Sequence, residues 1–413
     1  MDLTDSSPGQ EAAKRGNYCS DKASSGERPR TGFVATVASC FCAWPYTSAL
    51  VIFVLSRCVV AGAIFCKDFV VPARQGPHIW QMGEAWYHDI LRWDAGWYIR
   101  IAEQGYGLPA SPAEQSSIVF FPLLPLLAKA LSGVTSLRVF DSLLIIANAA
   151  AVACVPLLIA LVKPLYGPGV ALRTVALLSF FPTSFFLSSA YTESLTLMLA
   201  LLAFLSLERG NHLTAAMAAG LAAASRPTGV ALVPAILTHL VLVSTRCNAS
   251  TIAKAAAVGA LGLSGLAAYA FWQWGSFGDP FAFVRGQAAW AGTDLGLGTR
   301  FLRAITLEPV LRPWFGGLCL IAAVGVIAAQ SRKLPSYFIV YAGLCLAIPY
   351  ALLATGSVGT TPMPRFVLII FPVFTAAALL LKGRPLLTLG LLALSTAGLF
   401  LTTAHFAQWY WIG

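Results

Sequence analysis

From Ala43 to the end of the chain, apolar runs follow one another with only short polar interruptions. Inside hydrocarbon a backbone amide has no water to pair with, so such runs must form structures that satisfy their own hydrogen bonds. The expected fold is therefore all-α, with irregular backbone only where it lines a wet cavity or is packed in protein. Composition agrees: 58% of the 413 residues are hydrophobic and 11% are charged, against roughly 25% charged in a typical soluble domain. The formal charge of +10 is read as a topology signal, since basic residues flank spans on the cytoplasmic side. It is not read as a nucleic-acid footprint. Cys40, Cys58, Cys154, Cys319 and Cys345 sit in apolar stretches without a CxxC pair or a His-rich motif, as small core residues do. No carboxylate or histidine cluster has metal-ligand spacing, so no metal site is assigned, and no cofactor is named.

Residues 1–32 carry five basic and five acidic residues among Ser and Gly. They bury too little apolar surface to fold alone and are expected to form a disordered cytoplasmic tail. They lack a signal peptide's apolar core and cleavage site, so a first span from about Ala43 to Phe65 should be retained. Residues 33–413 then form one transmembrane domain. Residues 67–138 make its first large external loop and 275–313 its second. Within the first, Ile118 to Leu131 (IVFFPLLPLLAKAL) falls short of the roughly 20 residues needed to cross, and reads as interfacial or re-entrant.

Charge tests that choice. If Ile118 to Leu131 does not cross, spans fall near 139–162, 172–187, 191–207, 213–225, 229–244, 252–274, 314–330, 337–354, 366–381 and 386–405. Lys163, Arg173, Arg209, Arg246, Lys254, Arg332, Lys333, Lys382 and Arg384 then share the side of the tail. A crossing there would put them outside. The expectation is thus about eleven spans, with the terminal WYWIG outside. In this topology Asp94, Tyr191, Glu193, Arg226 and Arg365 all come to the external side, where one cavity can hold them.

The densest chemistry is Leu91 to Leu108, LRWDAGWYIRIAEQGYGL. Spacing predicts a helix capped by Asp89, with Ile90, Trp93, Trp97 and Ile101 on its apolar face and Gly105 as the stop. Asp94 and Tyr98 lie one turn apart on an adjoining face. Partial desolvation beside the bilayer raises a carboxylate's basicity, which suits a general base toward an acceptor hydroxyl. The alternative is a packing helix whose Asp caps a neighbour. In FFPTSFFLSSAYTE, Glu193 either supports the next helix or, with Tyr191, hydrogen-bonds a sugar. In SRPTG, an arginine at membrane depth needs a partner. Arg226 either holds a phosphate in a bidentate fork or pairs with a carboxylate such as Glu193. In TTPMPRF, Arg365 is either a second phosphate contact or a snorkelling interfacial arginine. Asp279, before Pro280, reads as a turn residue.

RWDAGWYIRIAEQGY resembles the first-loop signature of the PIG-V-like mannosyltransferases, the group of GPI mannosyltransferase II and its bacterial relatives. FFPLLPLL, FFPTSFFLSSAYTESL, ASRPTG, GDPFAFVRGQAAW and PMPRFVLIIFPVF resemble later blocks in the same order, so the resemblance runs from about Leu91 to Phe374. It implies a GT-C glycosyltransferase bundle that moves a sugar, mannose above all, from a polyprenyl-phosphate donor to a lipid or glycan acceptor on the external face, usually with inversion. It places the acid on Asp94 and the family's tyrosine-glutamate and SRPTG arginine positions on Tyr191, Glu193 and Arg226; Trp93, Trp97, Tyr98 and Arg365 join these three as substrate-binding candidates. The chain is short and lacks the eukaryotic group's extended late lumenal segment. That implies a bacterial cell membrane rather than the endoplasmic reticulum, and an acceptor other than GPI. The competing reading is a transporter or flippase for a lipid-linked or sugar substrate, since intramembrane Arg and Glu also mark transport paths.

Overall fold

A computed structural model describes residues 43–74, 85–109, 111, 114–244, 248–290, 311–353 and 362–412. The expected tail, Cys40 and Arg246 lie outside these residues. The described residues contain helices and turns and no strand. In order the main helices are α1 (Pro45–Phe65), α2 (Asp94–Gln104), α3 (Leu123–Thr135), α4 (Val139–Tyr166), α5 (Pro168–Ser179), α6 (Glu193–Glu208) and α7 (His212–Ser225). They continue with α8 (Leu232–Val243), α9 (Ala249–Phe277), α10 (Leu311–Gln330), α11 (Ser336–Leu353), α12 (Phe371–Leu380) and α13 (Pro385–Ala407).

Four of them, α1, α4, α9 and α13, are long and apolar enough to cross a membrane, at 21, 28, 29 and 23 residues. At 1.5 Å per residue these reach about 32–44 Å. A helix stands at each of the other expected spans, but those are shorter or broken. The run expected at 172–187 stops at Ser179, because Pro182 follows and the chain turns through Ser184–Leu187. The run expected at 366–381 is split into a five-residue turn, Met363–Val367, and α12.

α3 spans 13 residues, about 20 Å, too short to cross hydrocarbon. It buries Leu124 and Ala128 and leaves Leu126 and Leu127 exposed. α9 runs on to Phe277, so the second loop opens at Gly278, whose φ of 72° ends the helix. There the Phe281 amide donates to Asp279 Oδ1 at 2.8 Å, the expected turn role. Residues 291–310 of that loop lie outside the described ones.

α6 is the hub of the bundle. Twelve of its 16 residues are buried, as a helix apolar on all faces requires. α4 and α7 pack on it. α7 also packs closely against α9 at Gly220 and Gly265, where a Cβ on Gly265 would sit 2.0 Å from the Gly220 carbonyl oxygen. Small residues at such crossings let backbones approach.

Candidate active site

The first loop does not fold as one helix from Asp89. A turn, Trp86–Ile90, comes first, and α2 begins at Asp94. Asp89 is drawn away from the capping role by an ion pair with Lys67 and a 2.5 Å bond from Arg92 Nη2. Arg92 is itself buried, donates through Nε to the Ala407 carbonyl at 3.1 Å, and lies 4.7 Å over the Trp409 ring. Trp93 therefore bridges turn and helix with φ 54°, a left-handed backbone that costs a non-glycine residue energy and must be held from outside. Gly105 stops the helix as expected, with φ 83°.

Tyr191 does the holding. Its hydroxyl donates to the Arg92 carbonyl at 2.9 Å and accepts from the Asp94 amide at 3.1 Å. The side chain is fully buried and does not reach the cavity. Tyr191 thus lies beneath the site and sets the position of Asp94.

Around Asp94 an ion network closes between elements far apart in sequence. Arg365 Nη1 donates to Asp94 Oδ2 at 2.6 Å, and its Nε bonds Glu193 Oε1. Arg226 Nη1 donates to the same Glu193 oxygen at 2.7 Å. Two carboxylates thus face two guanidiniums, which is how charge is kept out of water. Arg365 is 7% exposed and stacks 4.6 Å over the Tyr191 ring, so it does not snorkel to the interface as one expectation had it. Prolines 362 and 364 start the short turn that carries Arg365 inward. Arg226 leaves α7 in extended backbone, φ −167°, just before Pro227. Gly229 lets that break pack on α7, since a Cβ there would lie 2.2 Å from Ala222.

These groups border a cavity of about 420 Å³. Asp94, Trp93, Tyr98, Arg226 and Arg365 line it; Glu193, like Tyr191, is fully buried and does not. Trp97 is also absent from the wall and stacks on Phe120 at 5.8 Å. Burial holds the Asp94 carboxyl above the ordinary aspartate range, with Arg365 pulling the other way. Burial likewise pushes the Tyr98 phenol up, so it stays a protonated donor. Sequence reasoning missed Gln115, Thr228, Phe366 and Trp411 on the wall. Thr228 lies in SRPTG, Phe366 in TTPMPRF and Trp411 in the aromatic run WYWIG, so each sat in a stretch already singled out, whereas Gln115 did not. Arg57, a charge inside the first run, also passed unnoticed. It donates to the Ser179 and Ser184 carbonyls at 3.0 and 2.8 Å and so supports the turn leading to Tyr191.

Residues 66–249 match the mannosyltransferase (PIG-V) family model. The resemblance carried by the motifs is borne out over that stretch. The PIG-V match includes Asp94, Tyr191, Glu193 and Arg226 and ends before Arg365, so the late blocks lie beyond it. No curated protein matches the chain. Among solved structures, the apo oligosaccharyltransferase of Archaeoglobus fulgidus is similar at 12% identity and a TM-score of 0.43, over 88% of this chain and 56% of that one. The archaeal oligosaccharyltransferase AglB of the same organism, in complex with an inhibitory peptide and a dolichol-phosphate, is similar at 12% identity and a TM-score of 0.39, over 89% and 56%. The chain thus spans about half the length of these structures.

Proposed function

We propose that the chain is a membrane mannosyltransferase of the GT-C type, which uses a polyprenyl-phosphate sugar as donor and Asp94 as general base. The observation that carries the reading is the meeting of Asp94, Arg226 and Arg365 on one cavity wall within a chain matched by the PIG-V family model. In the proposed step an acceptor hydroxyl oxygen attacks the sugar's anomeric carbon, and its proton passes to Asp94. The bond from that carbon to the phosphate oxygen breaks, and polyprenyl phosphate leaves. Attack on the face opposite the leaving group inverts the centre. A base held above the usual carboxylate range is better matched to that proton than an ordinary aspartate.

The leaving phosphate is assigned to Arg226 and Arg365. Arg226 spends Nη1 on Glu193, and the residue also borders the cavity. Planar guanidiniums suit phosphate oxygens. Glu193, Tyr191 and Trp97 are assigned positioning roles, because none of them lines the cavity. The broken and short helices complete about eleven spans in this reading, with the cavity on the external face, residues 67–138 and 275–313 as external loops and a bacterial cell membrane as the setting. Acceptors are lipids or glycans at that face.

The test uses purified protein in detergent with membranes from cells that lack it, which supply the acceptor. Labelled mannose should pass to the lipid or glycan fraction from polyprenyl-phosphate mannose and not from GDP-mannose. Transfer from GDP-mannose alone would defeat the donor assignment.

A further inference from the structure

We propose that Trp411, on the segment after α13, is the platform on which the transferred sugar ring stacks, so that this segment completes the site. The inference rests on the reading of the cavity as a lipid-linked sugar site.

Trp411 borders the same cavity as Asp94, Arg226 and Arg365. It reaches that wall because the chain after Ala407 is tied back onto the first loop. Gln408 Nε2 donates to Asp68 Oδ1 at 2.5 Å, and the Tyr410 hydroxyl donates to the Pro72 carbonyl at 3.3 Å. The Arg74 guanidinium lies 4.3 Å over the Tyr410 ring. Trp409 turns the chain with φ 65°, as Trp93 does in the first loop with φ 54°, and the two rings are 6.0 Å apart. Two of the three non-glycine residues with positive φ among the described residues therefore touch beside one cavity. Such backbone persists where neighbouring contacts over-determine it, and it gathers at ligand sites.

The wall asks for a particular ligand chemistry. The Trp411 ring stands 5.7 Å from the Trp93 ring, with planes at 72°. Trp93 Nε1 is buried without a hydrogen-bond partner, and so is Thr228 Oγ1. Both residues line the cavity. A buried donor without a partner is costly, and an alkyl chain would leave both groups unpaired. A pyranose has an apolar C–H face for a flat indole and a rim of hydroxyls for an N–H and an O–H. A sugar with Trp411 against its C–H face therefore suits this wall better than an alkyl chain does.

The measurement is equilibrium binding of two probes to the full chain in detergent, polyprenyl-phosphate mannose and polyprenyl phosphate without sugar. Trp411→Ala should weaken the sugar-bearing lipid about five- to tenfold and leave the sugarless one within about twofold. Trp411→Phe should keep most of the affinity. Trp411→Leu, which fills the space without a flat ring, should fall with alanine. Equal effects on the two lipids in all three variants, or a leucine variant as good as phenylalanine, would overturn the platform and leave the lipid-phosphate reading standing. Failure of the native chain to hold either lipid would overturn that reading and the platform with it.

Discussion

Glu193 is wholly buried and bonds both guanidiniums, whereas Asp94 lines the cavity and bonds one. Removing Glu193 leaves two buried cations facing a single carboxylate, so Glu193→Ala should lower stability by about 3–5 kcal/mol, read as thermal unfolding in detergent. Tyr191→Phe removes the hydroxyl that fixes the Arg92 carbonyl and the Asp94 amide. It should cost about 1–3 kcal/mol and lower kcat with donor KM unchanged. A change confined to KM would return Tyr191 to the substrate. The pH dependence has a definite sign. The base acts deprotonated and burial raises its pKa, so transfer should rise with pH through a midpoint above the ordinary aspartate value of about 3.9. A pH–rate profile whose acid limb sits at or below that value would contradict a raised base.

Breaks in the apolar pattern carried much of the site's outline at the scale of elements. Gly105 ends α2 and Pro227 follows Arg226 at the end of α7, both as local backbone chemistry dictates. The start of α2 was not legible. Asp89 has the residue type of a cap, but Arg92, three residues on, and Lys67, brought up by folding, take its carboxylate. Local signals left Arg365 between a phosphate contact and a snorkelling arginine, because only the folded chain sets it on Tyr191 between Asp94 and Glu193. The place of Trp411 on the cavity was hidden despite its aromatic run, since the ties that bring it there span more than 300 residues. Gly229→Val would force a side chain into the Ala222 backbone. It should destabilise the SRPTG break by about 1–3 kcal/mol and weaken donor binding through Arg226, measurable as a raised KM.

Across the whole molecule, α6 carries two polar clusters at its opposite ends. Glu193 holds the site at one, and at the other Glu208 accepts a hydrogen bond from Tyr337 while the Tyr166 hydroxyl donates to the Lys333 carbonyl at 2.9 Å. The separation along the helix is about 22 Å. The second end is the one the basic loops were expected to share. Single cysteines placed after Gly105 and after Arg332 should therefore react with impermeant reagents from opposite sides of the membrane. Labelling from one side would undo the orientation. If Asp94 takes the acceptor's proton, Asp94→Asn removes the base, and mannose transfer from polyprenyl-phosphate mannose measures the loss. The variant should fold and bind donor yet transfer at least about 100-fold more slowly. Transfer at the native rate would contradict that role.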